Sequence, residues 1–196
     1  MSAADTRQQI VEAADKLFYE QGFETTAFAD IAAATRLSRG NFYYHFKTKD
    51  EILAAVVALR LDRTRQMLDH WRERACGPRD ALRSFAQMLI ANREAIMRHG
   101  CPVGTLCAEL AKLDHGGLAQ ATDVFVLFRR WLAEQFVALG RAPDAHDLAL
   151  HLLMRSQGIA ALANAFGDET FIRREVAAIE QWLDSECPVI AADPAE

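Results

Sequence analysis

The sequence predicts an all-α protein in which a small three-helix head precedes a larger helical domain. Three observations lead there. Apolar residues recur at three- and four-residue spacing in one segment after another, and strand-like alternation is scarce. The prolines Pro78, Pro102, Pro143, Pro188 and Pro194 fall at breaks between those segments, where a missing N–H does no harm. The composition, 51% hydrophobic and 25% charged, suits a globular chain, and no apolar run is long enough to span a bilayer.

Taken in order, about nine helices are expected. The first runs from about Asp5 to Gln21, with Ile10, Ala13, Ala14, Leu17 and Phe18 on one stripe and Gly22 ending it. Thr26 is expected to cap a second, short helix carrying Phe28, Ile31 and Ala32. Ser38 caps a third, with Arg36 and Leu37 left in the turn between them. In the third helix Phe42 and Phe46 are one turn apart and point inward. Arg39, Asn41, Tyr43, Tyr44 and His45 are left around the outside. Helices this short do not stand alone in water, so their neighbours must hold them. The arrangement is that of a helix-turn-helix with Ser38–Phe46 as its recognition helix.

Charge agrees with this reading. No Asp or Glu occurs from Ile31 to Lys49, whereas Arg36, Arg39, Lys47 and Lys49 do, in a chain of net charge −5. A local basic patch on an acidic chain is a footprint for nucleic-acid phosphate.

Thr48 is expected to cap a long fourth helix reaching about Arg74, with Asp50 and Glu51 in its first turn. After Cys76-Gly77-Pro78 a fifth helix is expected to run to about His99. A sixth spans Pro102 to about Leu113 and a seventh Leu118 to about Leu139. The eighth, about Asp144 to Phe166, is apolar nearly all round in its second half. Such a helix is buried on all sides or covered by a partner chain. A ninth covers about Glu169 to Glu186. The expected divisions are a DNA-binding head over 1–48, a ligand-sensing and dimerisation domain over 49–188, and a flexible tail over 189–196.

Thr6-Arg7-Gln8-Gln9-Ile10, Ala13-Ala14, Leu17-Phe18, Gly22-Phe23, Thr25-Thr26, Asp30-Ile31-Ala32, Leu37-Ser38, Phe42-Tyr43 and His45-Phe46-Lys47-Thr48-Lys49 together resemble the N-terminal domain of the TetR family of bacterial transcriptional regulators. The likeness is dense over about the first fifty residues; beyond them it lies in helical layout. It implies a homodimer held by the eighth and ninth helices, with Ala160 and Ala163 at that surface. It also implies a double-stranded DNA operator, a small-molecule or thiol-reactive inducer and a repressor's role as the function. On the family's motif, Thr26 and Lys49 sit at phosphate-contacting positions. Arg39, Asn41 and Tyr43 sit at base-reading ones, with Ser38, Tyr44 and His45 beside them. The tyrosine pair leaves open which ring touches a base and which packs.

Gly100-Cys101-Pro102-Val103-Gly104-Thr105-Leu106-Cys107-Ala108-Glu109 is similar to a Gly-Cys-x-x-Gly-x-Leu-x-x-Glu segment of one branch, some of whose members answer to electrophiles or oxidants. It implies Cys101, and secondarily Cys107, as sensing thiols. Pro102 suits the first position of a helix, which makes Cys101 its cap.

For a ligand cavity the candidates are Phe85, Met88, Asn92, Phe125, Phe128, Trp131, Met154 and Arg155, aromatics and methionines with a few polar groups. Arg155, a charge on an apolar helix, needs a partner: Glu109, a dimer contact or an anionic ligand. His146 and His151 do not share a helical face, and no metal or other cofactor is expected. No phosphate loop, nucleophile elbow or paired-carboxylate signature appears, so no enzyme is expected. The competing reading is a regulator-shaped thiol enzyme or scaffold that does not use DNA, and the acid-free basic stretch argues against it. The N-terminus does not read as a secretory signal, and a cytoplasmic protein without membrane contact is expected.

Overall fold

The computed structural model describes residues 3–186, and every regular element among them is a helix. The head contains α1 (Ala3–Gln21), α2 (Phe28–Thr35) and α3 (Arg39–His45), and α4 (Lys49–Arg74) leads out of it. There follow α5 (Pro78–Ala91), α6 (Arg93–His99), α7 (Pro102–Lys112), α8 (Leu118–Ala138), α9 (Ala145–Phe166) and α10 (Glu169–Glu186). The expected tail over 189–196 and Cys187 lie outside the described residues.

Two local expectations need correction. The segment from Pro78 to His99 is not one helix but two. Asn92 leaves helical geometry at φ −103°, ψ 13°, and its side-chain amide donates to the Met88 carbonyl at 2.9 Å. An asparagine that bonds its own backbone competes with the helical ladder and favours helix ends. Nor does Thr26 cap α2. The cap is Ala27, whose N–H donates to Asp30 Oδ2 at 2.8 Å, while the Thr26 hydroxyl turns back to the Gly22 carbonyl at 2.6 Å. The carboxylate three residues into the helix does the work that the sequence reading gave to the threonine. Thr48 does cap α4: its Oγ1 accepts the Glu51 N–H at 3.1 Å, and Glu51 accepts the Lys47 N–H at 2.7 Å.

The chain divides into two compact units. One comprises the chain up to Met67 with Cys101–Leu127; the other comprises Leu68–Gly100 with the chain from Phe128 onward. The first is built on Ile10, Phe18, Phe23, Ile31, Phe42, Phe46, Ile52, Val56, Leu106 and Leu110, all buried. Burial of such side chains contributes about 1.5–3 kcal/mol each. That is what holds α2 and α3, eight and seven residues long, in helical form. In the second unit α10 packs along α5 and α9 through Ile172, Val176, Ile179 and Leu183, with Leu82, Phe85, Leu132, Phe136 and Leu152 also buried. Among the described residues no helix is long and apolar enough to cross a membrane.

Candidate nucleic-acid interface

The turn between α2 and α3 begins at Arg36, which adopts left-handed geometry at φ 54° and ends α2 with its N–H on the Ala33 carbonyl. Ser38 starts α3, its Oγ accepting the Asn41 N–H at 3.3 Å. Phe42 and Phe46 then anchor the inner face. Phe42 meets Phe28 edge-on at 5.0 Å, and the Arg7 guanidinium lies 4.8 Å over the Phe46 ring. With that face fixed, Ser38, Arg39, Asn41 and Tyr44 are left exposed and His45 half-exposed. The acids bordering this surface, Asp30 and Glu51, are both committed to backbone amides.

The tyrosine question resolves by packing. Tyr43 leans on Phe28 at 5.3 Å and beneath the Arg39 guanidinium at 5.6 Å, and is 39% exposed; Tyr44 is 74% exposed and meets the His45 ring edge-on. Tyr44 is the freer ring. The two residues matched to phosphate contacts sit elsewhere. Thr26 is 0% exposed, so its side chain offers nothing to a duplex. The Lys49 ammonium donates to the carbonyls of Phe23 at 2.9 Å, Glu24 at 3.3 Å and Thr26 at 3.2 Å. An ammonium has three hydrogens, so these bonds leave none for phosphate.

Around Cys101 the structure assembles side chains that the sequence reading missed. Cys101 caps α7 as expected, its Sγ accepting the Gly104 N–H at 3.4 Å, with Pro102 in the first turn. Arg60 of α4, 9% exposed, donates from Nε to Asp15 Oδ1 at 2.7 Å and from its other arm to the Pro102 carbonyl at 2.5 Å. It thereby ties α1, α4 and the start of α7 together. Burial pushes the Tyr19 hydroxyl up to about 12, a charge on Cys101 adds to the rise, and Arg60 opposes it. Burial likewise raises the Cys107 thiol despite a lowering hydrogen bond with Thr122, so Cys107 stays protonated near neutrality and is a poor nucleophile. The missed signal was periodic: Leu53, Val57, Arg60 and Thr64 are buried at helical spacing, and an arginine on such a face requires an acid.

The expected cavity residues are only partly brought together. Phe85 and Phe128 meet at 5.5 Å, and Trp131 meets Trp71 at 5.9 Å. Trp131 is 3% exposed and its indole N–H finds no acceptor among the described residues. Met88, Phe125 and Arg155 are half-buried. Asn92 is exposed at the end of α5, and Met154 is 58% exposed on the outside of α9. Glu109, one of three partners considered for Arg155, is committed to the amides of Phe23 and Glu24.

Comparison with known proteins fits this geometry. Residues 10–56, which include α2, α3 and the intervening turn, match the family model of the bacterial regulatory proteins of the TetR family. An uncharacterized helix-turn-helix regulator from the lacX 3′ region of Lactococcus lactis is 28% identical over 83% of this chain and 90% of its own length. The transcriptional repressor DhaR of Mycobacterium sp. strain GP1 is 26% identical over 67% of this chain and 64% of its own length. A TetR-family regulator from Streptomyces coelicolor shares the fold with a TM-score of 0.81 at 20% identity, over 93% of this chain and 96% of that one. All three carry the name of a transcriptional regulator, in keeping with a regulator and not with a thiol enzyme. The head over residues 10–56, built as a helix-turn-helix, is thus that of the TetR family of bacterial transcriptional regulators, and the helices that continue it share the fold of a solved member.

Proposed function

We propose that the chain is a homodimeric repressor that binds a palindromic operator through α3 of each copy. The observation that carries this reading is the outer face of α3. Arg39, Asn41 and Tyr44 project from a helix whose other side is pinned by buried Phe42 and Phe46. Arg is suited to guanine O6 and N7, Asn to adenine N6 and N7, and the Ser38 and Tyr43 hydroxyls to phosphate. The name of DhaR supports repression over activation. The apolar outer stripe of α9 supports pairing of two copies.

Release follows from an inducer at one of two places. Cys101 supports a thiol-reactive compound, since it caps α7 on a partly accessible surface. Trp131 supports a small apolar molecule with a hydrogen-bond acceptor. Its unpartnered N–H in an aromatic cluster costs about 1–3 kcal/mol that such an acceptor would recover. The experiment is to bind the purified protein to DNA flanking its own gene and add N-ethylmaleimide. Wild type is expected to bind that duplex above unrelated DNA and to release it on alkylation, and Cys101→Ser to hold on. Binding no better than to unrelated duplex defeats the operator reading. Retention after mass spectrometry shows Cys101 fully alkylated moves the inducer to the aromatic cluster.

A further inference from the structure

The loop joining α1 to α2 is gripped from two sides. Glu109, in the third turn of α7, accepts the Phe23 N–H on Oε2 at 2.8 Å and the Glu24 N–H on Oε1 at 2.9 Å. The opposite polarity of the same loop, the carbonyls of Phe23, Glu24 and Thr26, is taken by the Lys49 ammonium at the start of α4. The loop is shaped for the acid. Gly22 lies at φ +95°, and a Cβ there would stand 3.1 Å from Glu109 Oε1. Between the two charges the Phe23 ring is buried, with the ammonium 4.3 Å from its centre, the Phe18 ring at 5.2 Å and the His115 ring at 5.1 Å. His115 in turn lies 3.4 Å from Asp50 Oδ1.

We propose that Glu109 is a positioning residue for DNA recognition, acting with Lys49 as a two-sided clamp on residues 22–26 by which α7 fixes the entry into α2 and hence the aim of α3. The inference rests on the reading of α3 as the DNA-contacting helix. Its physical basis is that two charge-assisted bonds from one rigid helix fix the height and tilt of the peptide pair at Phe23 and Glu24. The loop's own bonds, such as Thr26 to Gly22, fix its shape but not its placement against α7. Cys101 and Glu109 lie on the same helix, so a change at its cap reaches the clamp directly.

The test uses the full chain as wild type, Glu109→Gln and Glu109→Ala, with DNA flanking its own gene as the duplex and amide hydrogen exchange as an independent readout. In Glu109→Ala, exchange at Phe23 and Glu24 is expected to rise about tenfold or more while α9 and α10 keep their protection. Affinity for the duplex is expected to fall about tenfold. The salt slope stays put, because no phosphate contact has been removed. Glu109→Gln, which keeps one acceptor, falls between and carries the test if the alanine variant does not fold. Unchanged exchange at Phe23 and Glu24 overturns the clamp whatever the DNA does. Loosened amides with undiminished affinity overturn the positioning role. A wild type that binds no duplex overturns the reading of α3, and the positioning role with it, while the exchange data still decide whether the clamp exists.

Discussion

Arg39 and Lys49 are both cations next to the recognition helix, yet the structure gives them different work. Arg39 is exposed and braced over Tyr43 at 5.6 Å, a geometry that steadies a guanidinium without using its N–H groups. Arg39→Ala is expected to cost about 1–3 kcal/mol on the preferred duplex and to relax sequence preference at one base position in a selection experiment. Lys49 is turned inward on three carbonyls. Lys49→Met is therefore expected to weaken all duplexes alike with the salt slope unchanged, whereas loss of a phosphate contact lowers the slope by about 0.9. A titration of both variants across salt concentrations separates the two roles, and a reduced slope for Lys49→Met would return that side chain to the phosphates. Sequence alone could place Arg39, since its position follows from Ser38 and the inward spacing of Phe42 and Phe46. It could not place Lys49, whose partners are backbone carbonyls 23 to 26 residues away.

At the scale of elements, caps and breakers were the most legible features. Ser38, Thr48 and Cys101 with Pro102 all start helices where local chemistry said they would. The Asn92 break was not legible, because an asparagine in an amphipathic stretch is compatible with a continuous helix until its amide turns back on Met88. The pairing of helices was not legible either, and Asp15 with Arg60 is the clearest case. Their side chains are 20% and 9% exposed, and the arginine also holds the carbonyl at the start of α7. Arg60→Met leaves the Pro102 carbonyl without that partner and Asp15 with only the more exposed Arg63, 3.3 Å from its Oδ2. A partly buried pair broken from one side costs about 3 kcal/mol, so the urea midpoint should fall visibly. Asp15→Leu combined with Arg60→Met should regain much of the loss, because no buried charge is left unpaired and Arg63 keeps Glu12 at 3.1 Å. Equal stability of wild type and Arg60→Met would show that water replaces the ion pair at no cost.

For the whole molecule, what matters is the face of α9 that its own chain leaves uncovered. Ile159, Ala160 and Ala163 are buried, the two alanines at 1% and 0% exposure, so they serve the chain's own core and not a partner surface. A charge at Ala160 or Ala163 would disrupt the fold and say nothing about pairing. Away from that core Leu150 and Met154 stand exposed one turn apart, as do Leu162 and Phe166, the last at 72%, along a winding row that Gly158 interrupts. Exposed apolar side chains grouped in this way form the surface that the proposed pairing of two copies would cover. In a two-fold dimer each residue of it is used twice, so one substitution places two carboxylates in the interface. Leu162→Glu is therefore expected to sediment as a monomer with α9 still folded. A monomer carries one α3, whereas two copies reading successive major grooves need their helices about 34–36 Å apart on the duplex. Without the second half-site the gain from linked binding is lost, and affinity for a palindromic duplex should drop by about a hundredfold or more. Sedimentation gives the mass and circular dichroism the helix content. A Leu162→Glu chain that keeps both the wild-type mass and the wild-type affinity would mean that the copies meet on some other surface.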